Sequence, residues 1–471
     1  MNIAVQKVRD GELDIVEFTH QCINEAKKIN ADHHYFTTIA EQEALAQAAH
    51  IKKNFSDYKH KKLLGYMITA KDAICVKGVE SAASSRILKG YQPLYDATVI
   101  KKVREQGGVI IGKTVQDEFG FGSFSVNVGL GHKIPLNPFD KERSCGGSSG
   151  GAGGITQLAD FPHIALGEST GGSIAAPASF CGVFGLAPTY GKVSRYGLID
   201  YGNSLDKIGP LGKNIHDVAA LQATIEGYDA NDSTSLNHEK EDYDLMGRSV
   251  KGKRIGIIKE AFAQGVSPEV ERSVRKGIAH LENEGALVEE ISLELPIKHS
   301  LSTYYILATS EASTNLSKYC GMRYGNSEEL QGNFNEYFTK VRSSHLGEEA
   351  KRRIIMGTFA RMSGFRDAYY IKAAKVRTLI INEYKKAFKK YDALLSPSVP
   401  ILAPKFSDIA KLSPLQHYAM DTMLVGPNLA GLPHLNIPVG MEKGLPVGML
   451  LIGDHLQEKK LLEMARVFEE K

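Results

Sequence analysis

Apolar residues recur at helical spacing near the N-terminus, where Ile15, Phe18, Thr19, Cys22, Ile23 and Ala26 fall on one face. An Ala/Gln/Glu-rich segment over 41–53 follows, so residues 1–60 read as a helical N-terminal segment ending in a polar loop at 54–62. The pattern changes at 63–70, a short apolar run that suits a buried strand. It delivers Lys71-Asp72 at its C-terminal end, where open α/β sheets place their chemistry. Asp96 reads as the N-cap of a helix carrying Val99, Ile100 and Val103; Gly107-Gly108 ends it, and 109–111 is the next strand. Strand, helix, strand at this spacing predicts a βαβ crossover and parallel pairing.

Further on, 163–166 is a short apolar strand, and 181–235 is a series of Gly/Pro-punctuated loops and short strands. Polar residues over 237–253 read as a surface connection before a strand at 254–258. Ser267 then caps a helix with Pro268 at its first position, an apolar face of Val270, Val274, Ile278 and Leu281, and Gly285 as its stop. A long helical stretch covers 348–390; strands are expected at 394–395, 435–439 and 447–452, and a closing helix at 458–469. Together these predict an α/β fold in a single domain over 1–471, with helices on both faces of a large mixed sheet.

Composition narrows the function classes. A net charge of +3 is too small to hold nucleic acid by charge alone. The five cysteines, Cys22, Cys75, Cys145, Cys181 and Cys320, are scattered and lack zinc-ligand spacing, so they read as reduced thiols of a cytoplasmic protein with no metal site. The N-terminus lacks the apolar core of a signal peptide, and no run approaches the roughly 18–20 apolar residues of a membrane span.

The chemistry-bearing stretch is 145–177. It holds two Gly/Ser nests, Gly146-Gly147-Ser148-Ser149-Gly150-Gly151 and Thr170-Gly171-Gly172-Ser173. Glycines let backbone N–H groups close on an anion or oxyanion, and serines offer hydroxyls as nucleophile or relay. Neither nest ends in the Gly-Lys-Ser/Thr of a phosphate loop. The N–H groups of Thr170, Gly171 and Gly172 suit an oxyanion hole, with Ser173 opening a helix whose dipole helps. Cys145, beside the first nest, reads as a small packing residue.

Two nests at this spacing with Lys71 upstream resemble the amidase signature family, and the resemblance runs from about residue 63 to the C-terminus. It implies that Lys71 acts as an unprotonated base through a bridging Ser148 on the nucleophile Ser173, with a cis peptide at Gly147-Ser148. Lysine can serve so only if burial strips its charge. Two positions depart from the family pattern: Ser169 replaces an acidic residue and Ala175 an arginine, with Glu168 placed to stand in for the acid. Ala187 also occupies a position where lysine is common.

Segments 188–197, 204–210, 229–235, 310–316, 352–359, 364–370, 375–380 and 428–433 are similar to the branch of that family that serves tRNA-dependent amidotransferases. The resemblance implies L-glutamine as substrate, hydrolysed through a glutamyl ester. Arg353 and Asp421 would hold its carboxylate and amine, with Tyr305 and Ser149 as further contacts. It also implies two companion subunits. One binds the misacylated tRNA and uses ATP and Mg²⁺, and a small one wraps this chain, which itself needs no cofactor. The acceptor can be Glu-tRNA(Gln), Asp-tRNA(Asn) or both. A stand-alone amidase acting on small amides, and a non-catalytic assembly subunit suggested by Ser169 and Ala175, are the competing readings.

Overall fold

The computed structural model describes residues 3–129, 131–243, 249–263 and 265–469. Its strands are β1 (Phe36–Ile39), β2 (Met67–Lys71), β3 (Val109–Thr114), β4 (His163–Ser169), β5 (Phe184–Ala187) and β6 (Lys207–Gly212). β7 (Arg254–Ile258), β8 (Leu287–Ile291), β9 (Ala393–Pro397), β10 (His434–Glu442) and β11 (Leu445–Ile452) complete the set among the described residues. All lie in one sheet, in the order β1-β3-β2-β4-β6-β5-β10-β11-β9-β7-β8. Pairing is parallel in β3-β2-β4 and in β9-β7-β8 and antiparallel elsewhere, the mixed sheet that the chain's patterning predicts.

Strand alternation builds a core on each face. Met449 and Leu451 of β11 join Val270, Val274 and Leu281 of helix Pro268–Asn283. Leu450 and Ile452, pointing the other way, join Leu307, Ala308 and Ala312 of helix Glu294–Asn315. β4 is buried along its whole length, which places the second nest at a fully covered strand end.

Several elements form as their residues dictate. Ser267 caps helix Pro268–Asn283 by accepting from Val270 N–H, and Asp14 caps helix Ile15–His33 by accepting from Val16 and Glu17. Others differ. Asp96 is not an N-cap: helix Thr98–Glu105 starts after Ala97, while Asp96 accepts from the Lys77 N–H at 2.9 Å and pairs with Arg104 at 3.1 Å. The N-terminal segment includes the edge strand β1, too short to show a period. The 348–390 stretch is helix Glu348–Arg361, a π-turn at Asp367–Ile371 and helix Lys372–Ala387. Helix Glu294–Asn315 is unannounced because it buries Ser300, Thr303, Thr309 and Ser310 among its apolar residues and so shows no apolar stripe. Of the polar 237–253 connection, residues 244–248 lie outside those described. Tyr243 is not at the surface but buried, its hydroxyl donating to Glu226.

The first nest is a helix start rather than a loop. Gly150–Leu158 is helical although four of its nine residues are glycine, each worth about 1 kcal/mol less than alanine in a helix. Close packing explains them. A Cβ on Gly154 would sit 2.2 Å from the Tyr35 ring, and one on Gly151 2.5 Å from the Tyr35 carbonyl. Gly154→Ala is therefore expected to lower the urea midpoint by the equivalent of about 1–3 kcal/mol through overpacking. A midpoint equal to that of the parent would refute this account of the glycines.

Candidate active site

β2 and β4 are parallel neighbours, so Lys71 at the end of one meets Glu168 near the end of the other. The Lys71 side chain is fully buried. Its Nζ lies 2.6 Å from Ser148 Oγ, 2.9 Å from the Glu168 carbonyl and 2.8 Å from Glu168 Oε2. The Gly147–Ser148 peptide is cis, as the family resemblance implied. Asp117 braces this turn: its carboxylate accepts from the N–H groups of Ser125 and Asn127, both at 2.9 Å, and fills the space where Gly147 would carry a Cβ. Burial pushes the Asp117 carboxyl up to about 6. Ser125 Oγ ties the turn together, donating to the Gly146 carbonyl at 2.8 Å and accepting from Gly150 N–H at 3.1 Å.

The second nest follows β4 directly. Ser173 is 6% exposed, just ahead of helix Ala175–Cys181. Among the described residues its hydroxyl has no hydrogen-bond partner, so no bond joins it to Ser148. The backbone N–H groups of Thr170, Gly171 and Gly172 likewise donate to no protein acceptor among the described residues. The glycines are required here: a Cβ on Gly171 would meet Tyr304 at 2.9 Å, and one on Gly172 would meet Leu424 at 2.5 Å and Asp421 at 3.1 Å. Asp421 thus lies against the nest that holds Ser173. The Ser149 hydroxyl is buried and donates to the Glu168 carbonyl at 3.1 Å.

Arg353, Asp421 and Tyr305 converge. Tyr305 donates to Asp421 at 2.9 Å, and Ser123 donates to the same oxygen at 2.9 Å. Arg353 sits among the rings of Phe121, Tyr201, Tyr305 and Tyr418, 5.1–5.7 Å from their centroids. It donates to Glu349 at 2.8 Å and to the Tyr201 hydroxyl at 2.6 Å. Burial works against its charge, but Tyr201, Tyr305 and Glu349 outweigh it and hold the guanidinium protonated. A cavity of about 310 Å³ opens here, lined by Ser123, Arg353, Glu349, His417 and Tyr418. Cation and carboxylate thus lie on either side of one tyrosine, Tyr305.

Sequence reasoning missed Asp117, Ser123, Tyr201, Glu349 and Tyr418. For Asp117 a signal existed: it follows the C-terminal end of the parallel strand β3. The departures are accommodated without stranded charge. Ser169 and Ala175 are both fully buried, and Ser169 Oγ donates to the Gly171 carbonyl at 3.3 Å. Ala187 is buried opposite His434. Cys145 is buried, which pushes its thiol well up, and its Sγ lies 3.5 Å from the Pro135 carbonyl. The five cysteines are free, and among the described residues no helix is long and apolar enough to cross a membrane.

A mixed sheet with a lysine–serine pair beside two Gly/Ser nests defines an amide-cleaving class, and comparison with known proteins bears this out. The family model described as Amidase matches residues 17–462, and the chain belongs to that family. The chain is 44% identical over 437 residues to the glutamyl-tRNA(Gln) amidotransferase A-subunit of Heliobacterium modesticaldum, covering 92% of this chain and 89% of that one. It is 42% identical over 469 residues to the corresponding A-subunit from a Cyanothece strain, covering 99% and 96%. The crystal structure of the glutamyl-tRNA(Gln) amidotransferase A-subunit from Thermotoga maritima superposes with a TM-score of 0.79 at 33% identity, over 97% of this chain and 91% of that one.

Asp421 gives the site a pH dependence. Burial raises its carboxyl to about 6, so it is charged above that pH and neutral below. Calorimetric affinity for an α-amino acid ligand should fall about tenfold per unit as pH drops below this value, because the neutral carboxyl no longer pairs with the ammonium. Asp421→Asn should bind weakly at every pH. An affinity in the parent that stays level on acidification would exclude Asp421 as the ammonium's partner.

Proposed function

We propose that this chain is the glutamine-hydrolysing subunit of a tRNA-dependent amidotransferase acting in the cytoplasm. Supporting this are 42–44% identity over nearly the full length to glutamyl-tRNA(Gln) amidotransferase A-subunits and, above all, Arg353 and Asp421 on either side of Tyr305, with Asp421 against the Ser173 nest. In this reading Arg353 takes the α-carboxylate of glutamine and Asp421 its α-ammonium, which presents the side-chain amide to Ser173. Ser173 Oγ attacks the amide carbon, its proton passing through Ser148 to Lys71. The N–H groups of Thr170, Gly171 and Gly172 hold the developing oxyanion. The proton returns to the leaving nitrogen, ammonia departs, and water cleaves the glutamyl ester on Ser173. Ammonia then reaches a companion subunit that binds tRNA and activates its aminoacyl carboxylate with ATP and Mg²⁺; a small third subunit completes the assembly. The product is Gln-tRNA(Gln), Asn-tRNA(Asn) or both.

The test is ammonia release from L-glutamine by the purified chain, alone and with its companion subunits. Release should rise with the companions. It should drop about a thousandfold or more in folded Ser173→Ala and Lys71→Ala, because residues acting as a unit fail together. Arg353→Ala should raise KM for glutamine by about tenfold or more, the loss of a hydrogen bond to a charged group. Equal turnover of a simple aliphatic amide, unchanged by Arg353→Ala, would overturn the proposal in favour of a stand-alone amidase.

A further inference from the structure

The contacts of Lys71 raise a question that the lysine–serine pair leaves open. Its Nζ has three oxygens within hydrogen-bond distance, one for each proton of an ammonium. An ammonium donating to all three has no lone pair left for Ser148. To act as a base it must first lose a proton, and it is fully buried. Of its three neighbours, a serine hydroxyl and a backbone carbonyl are poor proton acceptors. The Glu168 carboxylate, 2.8 Å away and 4% exposed, is a good one.

The far side of Glu168 is equally defined. Thr170 Oγ1 lies 2.9 Å from Glu168 Oε1 and 2.8 Å from Asp206 Oδ1. A hydroxyl has one proton to give, so one of the two carboxyls carries a proton of its own. Burial and the neighbouring Glu168 charge push the Asp206 carboxyl well up, against the hydrogen bonds it accepts from the N–H groups of Tyr201 and Gly202. Glu168 lies between Thr170 and Lys71 and is the carboxylate paired with the Lys71 Nζ. Gly120 borders this cluster, since a Cβ there would lie in ordinary contact, 3.5 Å, with both Glu168 Oε2 and Ser148 Oγ. Asp117 interacts with Lys71, and Arg195 with Asp206; Asp72, next to Lys71, is paired with Lys113.

We propose that Glu168 takes the proton from Lys71, converting the resting ammonium into the amine that serves Ser148. The step breaks one N–H bond on Nζ and forms one O–H bond on Oε2, turning an ion pair into a neutral pair. Rotation about Cε–Nζ then aims the freed lone pair at Ser148. No proton enters or leaves the site, and the reverse transfer restores the resting state after the ester is hydrolysed. Glu168 acts through Lys71 and does not touch the substrate. This rests on the amide-hydrolysis reading of Lys71, Ser148 and Ser173.

The consequence is kinetic. The ion pair and the neutral pair hold the same number of protons, so their ratio does not change with pH. The parent's kcat/KM should therefore be level between about pH 6.5 and 8.5. Without Glu168 no carboxylate among the described residues lies within hydrogen-bond distance of Nζ, so the proton must go to bulk solvent, and the loss of one proton should make kcat/KM climb about tenfold per pH unit over that range. The experiment compares the parent with Glu168→Gln in the assembled complex, on glutamine and on a simple aliphatic amide, with circular dichroism to verify folding. Glu168→Ser carries the same expectation if the glutamine variant does not fold. A slope near one in the variant against a level parent supports the proposal. A folded variant as fast as the parent or faster, with the same pH dependence, overturns it. A parent that turns over only the simple amide overturns the glutaminase reading, while the difference in slope on that amide still decides the role of Glu168.

Discussion

The site depends on a lysine amine removed from water and met, among the described residues, by oxygens from two residues, Ser148 and Glu168. Leaving a buried charge without its partner costs about 3–5 kcal/mol, so everything that aligns β2, β4 and the Ser148 turn is under strong constraint. Parallel pairing of β2 with β4 sets the height of Lys71 against Glu168. The glycines of the helix after Ser148 let that helix pack onto Tyr35 and Val115, which anchors the serine from the other side.

A second constraint is the guanidinium of Arg353. It is almost fully buried, and four aromatic rings from separate segments surround it while Glu349 and Tyr201 accept its hydrogen bonds. Tyr305 belongs to this enclosure and also donates to Asp421, so cation and carboxylate share one side chain as spacer. A rigid spacing between opposite charges selects a ligand by the distance between its own charges.

Much of the architecture was legible in the residue pattern. Helix Pro268–Asn283 announces itself through Ser267, Pro268 and a regular apolar face, and β10 and β11 through short apolar runs. The two nests and Lys71 were visible as candidates because two Gly/Ser tracts at this spacing, with a lysine upstream at a strand end, form a specific combination where one tract alone is a weak signal. Asp96 misled because an aspartate ahead of a helix satisfies the local rule, while the real competitor for its carboxylate, the Lys77 N–H, belongs to another turn. Helix Glu294–Asn315 was hidden because its buried hydroxyls bond back to the carbonyls of their own helix, Thr309 to Tyr305 and Ser310 to Ile306.

By itself, then, the sequence determined which segments are buried strands, where several helices begin and end, and which residue types could cleave an amide. These are local matters of period, capping and backbone freedom. Only the tertiary structure decided that Glu168 faces Lys71 across 97 residues of chain, that Asp117 stands behind the cis turn, and that Asp206 shares a hydroxyl with Glu168. Alternation along a strand says which face a side chain takes, but its neighbour there comes from non-local pairing, which no local pattern encodes.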